Sequence, residues 1–588
     1  MKWDLTYLFN NDQAFEDAYK LSLQIIEKLA TFKGKLNDEK SFKEYFLTQK
    51  EFEKTGLRAY QYAHLKSDLN KKDMGSSSML QKAQIAFSML SEAISFEEPE
   101  LIKLGKEKVL GFINRNKELE EFRFNVEKLF RRQEHILDDE KEALLATFTQ
   151  TLSAGRELYS SLSVADIEHG DVMLDNGEIV TITNSNYRAF IKKSETPEER
   201  KEIFESVFSY YERHKNTYSA IYKNVLDTDY ARMRVRKYTS SLESYLFENQ
   251  IPVEVYTSLT NVARSNTDSV KRYLKLRKEY LKLEEYHTYD RFLELAKSDK
   301  EYEYEEAKKL FFASIDAFPE TFKEKAKEVL REGFVDVYEG EGKRTGAYSS
   351  SMPDLHPFIL LNYSNTLEDV FTVAHEAGHS IHSMFSAESQ PSVLQNYTIF
   401  VAEVASTFNE HNLLDYFIKG SKATKNEKIA LLQRAIDDIM STFYRQTLFA
   451  IYELEAHKLI ENNIPITADA LSKIMIDLYK EFYDLDIEKE EVKKYVWAYI
   501  PHLFYTPFYV YQYATSFAAS LKIYENVKNK VEGAFENYMN LLRSGGSKYP
   551  IDQLKETGVD LTKEDAFMAV SNRLTELVNQ LELVIQEK

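Results

Sequence analysis

The chain has 588 residues, 43% hydrophobic and 29% charged, with a formal net charge of -19 and no cysteine. That balance describes a folded globular protein and weighs against nucleic acid or an anionic membrane as partner, since surplus Lys and Arg grip both. Without cysteine there is no disulfide, thiolate metal site or thiol nucleophile, so any metal must be held by His, Asp or Glu.

Length is a soft guide to roughly four domain-sized units. The opening MKWDLTYLFNNDQAFEDAYK carries charges early and lacks the apolar core of a signal peptide. No apolar run reaches the ~18 residues of a membrane helix, so the expected location is the cytosol. Nothing in the sequence indicates an oligomeric state.

Gly (18) and Pro (11) are sparse and apolar residues recur at three and four, so most of the chain reads as helix. Residues 1 to 160 read as a series of amphipathic helices. DNGEIVTIT, 175–183, breaks the pattern: Asn176-Gly177 beside alternating β-branched residues predicts a hairpin. SETPEERKEIFESVF then starts a helix, with Thr196 as cap, Pro197 in the first position and Glu198 and Glu199 in the first turn. The expected division is 1–195, a helical region with a small hairpin, and 196–588, the region carrying the motifs below. No internal repeat or low-complexity segment is present.

The stretch 334–364, FVDVYEGEGKRTGAYSSSMPDLHPFILLNYS, is rich in Gly and Pro and ends in the strand-like FILLNY. It predicts a short antiparallel sheet. A helix follows, with Asn365 and Glu368 resembling a capping box. Leu367, Val370, Phe371, Ala374, Gly378, Ile381 and Phe385 mark its buried face. RSGGSKYP, 543–550, is the last loop signal.

This helix contains HEAGH, residues 375–379. His375 and His379 stand one turn apart on a common face, so two imidazoles can converge on one tetrahedral ion. Glu376 lies about 100° round the helix, able to reach a water at the ion without being a ligand. Composition alone yields HExxH roughly 0.02 times in such a chain. The competing reading is a polar helix face with solvated histidines.

A catalytic zinc needs a third protein ligand and an open position. His382 and Phe385 rule out a pattern with Gly and His at those places. YTIFVAEVASTFNEHNLL, 397–414, offers the third ligand on a second helix: Val401, Val404, Ala405 and Phe408 form an apolar face, and Glu403 and Glu410 lie on the adjoining one. Glu403 is the expected ligand. Glu410 either hydrogen-bonds a ligand histidine or is a surface acid beside His411. His382 either supports the site or is structural.

YIPHLFYTPFYVYQYATSFAAS, 499–520, carries His502 followed by Tyr505, Tyr509, Tyr511 and Tyr513. Thr506-Pro507 predicts a helix start, which would place Tyr509 and Tyr513 on one face. Phenols and an imidazole suit a site where an oxyanion develops. An aromatic core is the other reading, and Phe504 and Phe508 speak for it.

TLEDVFTVAHEAGHSIHSMFS, FVAEVASTFNE, GKRTGAYSSSMPDLHPFILLNY and PHLFYTPFYVYQYAT, with the later SGGSKYP and GVDL, resemble the oligoendopeptidase F group of the thimet-type M3 family of zinc oligopeptidases. The resemblance spans roughly residues 110–575. It implies one zinc ion per chain on His375, His379 and Glu403, with Glu376 as general base. It implies His502 and at least one of Tyr505, Tyr509, Tyr511 and Tyr513 at the substrate carbonyl or oxyanion. The spacing from His502 to these tyrosines departs from the thimet branch, so their individual roles stay open. The implied fold is mainly α: a two-lobed helical ellipsoid with a deep channel that admits short unstructured peptides, and a small antiparallel sheet beside the HExxH helix.

The expected chemistry is hydrolysis of internal peptide bonds, with Glu376 moving the proton of a metal-activated water. FILLNY and GAYSSS are expected to offer a strand edge to the peptide backbone. One rival is a zinc carboxypeptidase or dipeptidase gripping a terminal carboxylate through Lys343, Arg344 or Arg445. The other is an inactive peptide-binding protein.

Overall fold

The structure is a computed structural model and describes residues 2–297, 300–420 and 423–587. The chain forms two compact units, each drawn from three segments. Met1–Glu134, Lys300–Phe417 and Ile523–Gly558 make unit 1; His135–Asp299, Ile418–Lys522 and Val559–Lys588 make unit 2. Both are predominantly helical, as the sequence predicts. Among the described residues no helix is long and apolar enough to cross a membrane.

Unit 1 opens with helices whose caps are legible: Asn11 accepts from the Ala14 amide before Asp12–Ala30, and Asp38 from the Ser41 amide before Glu39–Leu69. Ile26, Leu29, Phe42 and Phe46 on their inner faces share a core with Phe112 and Phe122. A second core joins Trp3, Phe15 and Tyr62 to Phe358 and Leu360. There the Trp3 indole N–H donates to the Ile359 carbonyl at 2.8 Å.

In unit 2 the predicted hairpin is present. Strands β1 (Gly170–Met173) and β2 (Ile179–Ile182) pair antiparallel, with Val172 opposite Val180. Gly177 takes the positive φ of 84° that the turn requires. Helix α1 (Pro197–Arg213) starts as expected, its Glu199 amide donating to Thr196 Oγ1 at 3.3 Å.

The sheet of unit 1 corrects the antiparallel expectation. Its strands are β3 (Val335–Tyr338), β4 (Tyr348–Ser350) and β5 (Phe358–Tyr363), in the order β3-β5-β4. β4 pairs antiparallel with β5, but β3 pairs with β5 in parallel. The chain reverses into β4 and again into β5, so β5 runs in the direction of β3. As the central strand β5 is almost wholly buried, which its unbroken FILL run reflects. FILLNY therefore has partners on both sides and no edge to offer; β4 is an outer strand.

Helix α2 (Leu367–Ser389) follows. Its cap is Thr366, not Asn365: Thr366 Oγ1 accepts from the Asp369 amide at 3.2 Å, and Asp369 Oδ2 accepts from the Thr366 amide at 2.9 Å. Asn365 sits at φ 64°, a region Asn tolerates, and its carbonyl accepts from the Tyr302 amide. The expected face is buried except for half-buried Leu367, and Val373, Ala377 and His382 are buried as well, so α2 is enclosed nearly all round. Helix α3 (Ile399–Lys419) crosses it at very short range. A Cβ at Gly378 would stand 2.6 Å from both the Ala405 carbonyl oxygen and Ser406 Cα, so only glycine fits.

In unit 2, α4 (Arg445–Glu461) precedes the aromatic stretch; α5 (Tyr511–Lys528), which belongs to unit 2 as far as Lys522, ends it. No helix starts at Thr506-Pro507. His502–Tyr505 is a single turn, the chain breaks with Phe508 at φ 52°, and α5 begins only at Tyr511. Pro507 has no amide to donate, and buried Glu453 of α4 takes the Phe508 amide at 2.8 Å, so the break wins over a helix.

Candidate metal centre

α2 and α3 bring His375, His379 and Glu403, all in unit 1, together. The two Nε2 atoms face each other at 3.1 Å, and Glu403 Oε2 lies 3.3 Å from that of His375 and 3.4 Å from that of His379. Donors at tetrahedral corners about 2.0–2.1 Å from one ion stand about 3.4 Å apart. The triangle therefore has the size of one face of a zinc tetrahedron. Among the described residues it is the one group of three or more His, Cys, Asp or Glu donors drawn so close.

The supporting contacts explain the orientation. His375 Nδ1–H donates to Glu410 Oε1 at 2.7 Å, leaving Nε2 free to ligate. Glu410 is thus part of the cluster and not a surface acid. Ser406 Oγ donates to Glu403 Oε2 at 2.9 Å and fixes that carboxylate. Sequence reading missed Ser406, although its place three residues after Glu403 on a helix was a usable signal. His382 is fully buried and stacks on Tyr397 with ring centroids 3.6 Å apart. Burial pushes its imidazole down to about 3, so it stays neutral and packs.

Charge in the cluster is strongly biased. Burial drives the His375 imidazole down, but the Glu410 hydrogen bond and the Glu410, Glu403 and Glu376 charges outweigh it and lift the group to about 9. Burial works to raise Glu403, yet His379 and His375 hold it at about 2. This excess of negative charge is what a divalent cation would neutralise. Glu376 is buried, 5% exposed, and its Oε2 has no hydrogen-bond partner in the protein. Burial raises its pKa against the pull of His375 and His379.

The aromatic candidates all lie in unit 2. The His502 ring is parallel to that of Tyr509 at 5.8 Å and edge-on to Tyr513 at 6.1 Å, and Tyr509 and Tyr513 meet at 5.5 Å. Burial lowers the His502 pKa, favouring the neutral ring. Tyr505 turns to Tyr159 at 5.2 Å. Tyr511 is buried against Tyr256 at 5.3 Å, and burial raises its phenol far above the usual range. The structure thus groups His502, Tyr509 and Tyr513 and separates Tyr505 and Tyr511 from them. Of the cations considered for a terminal carboxylate, Lys343 is bound to Asp336 at 2.6 Å and Arg344 to Asp68 at 3.1 Å.

Known proteins are similar to this chain from end to end. Residues 190–572 match the family described as peptidase family M3, and residues 100–168 match oligopeptidase F. Oligopeptidase PepF of Bacillus subtilis is 33% identical over 588 residues, covering all of this chain and 87% of that protein. An oligoendopeptidase F homolog of Borreliella burgdorferi is 34% identical over 574 residues, covering 96% of this chain and 94% of that protein. The crystal structure of oligoendopeptidase-F from Enterococcus faecium aligns with a TM-score of 0.76 at 27% identity, over 98% of this chain and all of that one. A Chlamydophila abortus crystal structure reaches 0.88 at 30% identity, over 99% of this chain and 98% of that one. Matched over most of its length by the family's pattern and by full-length relatives a third identical, the chain belongs to peptidase family M3, in its oligoendopeptidase F group.

Proposed function

We propose that the protein is a zinc-dependent endopeptidase that hydrolyses internal bonds of short, unstructured oligopeptides. The observation that carries the reading is the 3.1–3.4 Å triangle of His375, His379 and Glu403 donors with the buried Glu376 beside it. Two imidazole nitrogens and one carboxylate oxygen, without sulfur, suit one zinc ion per chain. When bound, the ion supplies a Lewis acid that acidifies water and polarises a carbonyl.

The chain's own residues do the rest. Glu376, with an oxygen unclaimed by the protein, accepts the proton of the attacking water and hands it to the leaving amine. Its raised proton affinity suits both transfers. His502, Tyr509 and Tyr513 are proposed donors to the carbonyl oxygen as it gains charge. Tyr511, turned into the core, serves packing, and Tyr505 has its nearest ring in Tyr159. The outer strand β4 offers backbone groups to an extended peptide, which would tolerate many sequences. The deep channel expected of the family would set the size limit.

Of the three cations that the carboxypeptidase reading offers, Lys343 and Arg344 already hold Asp336 and Asp68, which leaves Arg445 to that reading. The test is an internally quenched, end-blocked peptide incubated with zinc-loaded protein, with Glu376→Gln alongside. Internal cutting that the variant loses supports the proposal. Cutting only of peptides with a free carboxyl terminus would favour the carboxypeptidase. Zinc binding without hydrolysis of either would favour a peptide-binding protein.

A further inference from the structure

Unit 2 treats its cations in two ways; Arg200, Arg277 and Lys493 are buried, Arg291 and Arg445 half-buried and Arg188 exposed. Arg200 meets Asp290 at 2.9 Å, and Arg277 donates to the Asp290 and Leu293 carbonyls and stands 3.9 Å from Asp437. Four others lack any such acid. Lys493, only 4% exposed, makes no side-chain hydrogen bond or ion pair among the described residues, and the same holds for Arg291 and Arg445. The polar contacts of Arg188 are two phenols, Tyr187 at 3.3 Å and Tyr499 at 3.5 Å.

These cations rest on rings instead. Lys493 Nζ lies 5.7, 5.5 and 5.2 Å from the ring centroids of Phe204, Phe208 and Tyr479. The guanidinium of Arg291 covers Phe292 at 4.5 Å, and that of Arg188 lies 5.8 Å from the same ring and 5.6 Å from Tyr187. Tyr187 links the two sides, with its ring 6.0 Å from Phe208 and 5.8 Å from Phe292. One aromatic floor therefore carries Lys493, Arg188 and Arg291. Arg445, at the start of α4, joins them electrostatically through Arg291, Tyr479 and Tyr187. Glu490 acts on Lys493 and Asp437 on Arg291 only through space, since their hydrogen bonds lie elsewhere: Glu490 accepts from the Thr288 amide and hydroxyl and faces His287, and Asp437 accepts from Tyr273 and Gln433.

We propose that Arg188, Arg291, Arg445 and Lys493 form a binding site for a multivalent phosphate anion, free or carried on a small molecule. Withdrawing a cation from water without a partner is costly, and like charges held together add to that cost. An anion with two or more charges and several acceptor oxygens answers both; a single carboxylate would leave three of the four cations unmatched. Arginine forks beside a lysine are the usual donors to phosphate oxygens. The local field agrees. Burial, then Arg291 and Arg445, push the Lys493 ammonium far below its ordinary value, and burial with Arg291 brings Arg445 down to about 10. Against the effect of burial, Arg291 and Arg188 lower the Tyr187 phenol. Arg188 is exposed, so solvent reaches the cluster at this residue. The site goes beyond the peptidase reading and does not rest on it.

Calorimetric titration of the full chain with inorganic pyrophosphate at low ionic strength is the test. The parent should bind one pyrophosphate per chain with Kd below about 1 mM, more weakly as NaCl is added. Lys493→Met and Arg445→Met should each weaken binding at least about tenfold. Their melting temperatures without anion should equal or exceed the parent's, because like-charge repulsion is relieved. Arg188→Gln, at an exposed position, should show the same loss even if a buried variant fails to fold. ADP titrated alongside assigns the source: tighter binding than pyrophosphate means a nucleoside-borne diphosphate, and equal or weaker binding a free one. No binding to the parent, or three variants that all titrate like it, would overturn the proposal.

Discussion

Glu410 Oε1 accepts the Nδ1 proton of His375 at 2.7 Å and so decides which ring nitrogen faces Glu403 and His379. An acid two turns from Glu403 on α3 thereby sets the tautomer of a residue on α2. Glu410→Gln keeps the shape but removes the charge that orients the ring. Zinc affinity should fall about 10- to 100-fold, measured by competition with a chromophoric chelator. An unchanged affinity would remove Glu410 from the site.

Glu376 stands apart from the ligand triangle, so its removal should separate binding from chemistry. Glu376→Gln should retain one zinc per chain by metal analysis while kcat drops at least about 10²- to 10⁴-fold. A variant that loses zinc in parallel with activity would make Glu376 a ligand and not a base.

Chelation should abolish hydrolysis and leave the far-UV circular dichroism unchanged, because α2 and α3 are held by their own buried faces. Added zinc should restore activity. Loss of helical signal on chelation would mean that the ion builds the helix pair.

Gly378 is where α2 and α3 touch backbone to backbone. Gly378→Ala puts a Cβ 2.6 Å from Ser406 Cα, and the helices must part. Chemical denaturation should show a loss of about 1–3 kcal/mol, with weaker zinc binding because Glu403 rides on the displaced helix. Parent-like stability would show that the crossing is looser than described.

Glu453 gives a pH signature far from the metal ligands in sequence. Burial raises its carboxyl from 4.5 to about 8, against the charge of His457 and the Phe508 amide, which favour the anion. The folded chain thus keeps a proton that the unfolded chain releases between pH 4.5 and about 8, so this group's contribution to stability falls as pH rises through that window. Glu453→Gln removes the fall and keeps an acceptor for the Phe508 amide. At pH 8 the variant should be more stable than the parent by roughly 1–3 kcal/mol, with the gap closing towards pH 4.5. A gap that does not vary with pH would contradict the assignment.

What could be read from the sequence was what a local rule dictates. The helix at Pro197, the Asn176-Gly177 turn and the HEAGH face each follow from a few adjacent residues, and the structure reproduces them. The convergence of Glu403 with the two histidines also followed from helix periodicity plus enough chain to return. The failures came where a distant group intervened. Thr506-Pro507 has the form of a helix start, but Glu453, 55 residues away in sequence, claims the Phe508 amide. The sheet was misread because strand direction depends on how many reversals separate two strands, which composition does not encode. The Thr366 cap was missed by one place because Asn365 is as good a cap by type, but Asn365 sits at φ 64°, outside the extended backbone that an N-cap takes.

The threading of the units has a consequence for how the chain acquires its structure. Unit 1 is closed by Ile523–Gly558 and unit 2 by Val559–Lys588. Tyr524, in the first of these, hydrogen-bonds Asp415 at the end of α3 at 2.9 Å, and Tyr538 stacks on Phe408 of the same helix at 4.1 Å. During synthesis, then, the core around Ile26, Phe42 and Phe112 can form from the first segment alone, but the face of α3 that meets Tyr524 and Tyr538 stays uncovered until the last eighth of the chain is made. Such long-range closure predicts slow folding that finishes only after translation has passed residue 558. A ribosome-stalled chain ending near residue 520 should remain protease-sensitive at α3.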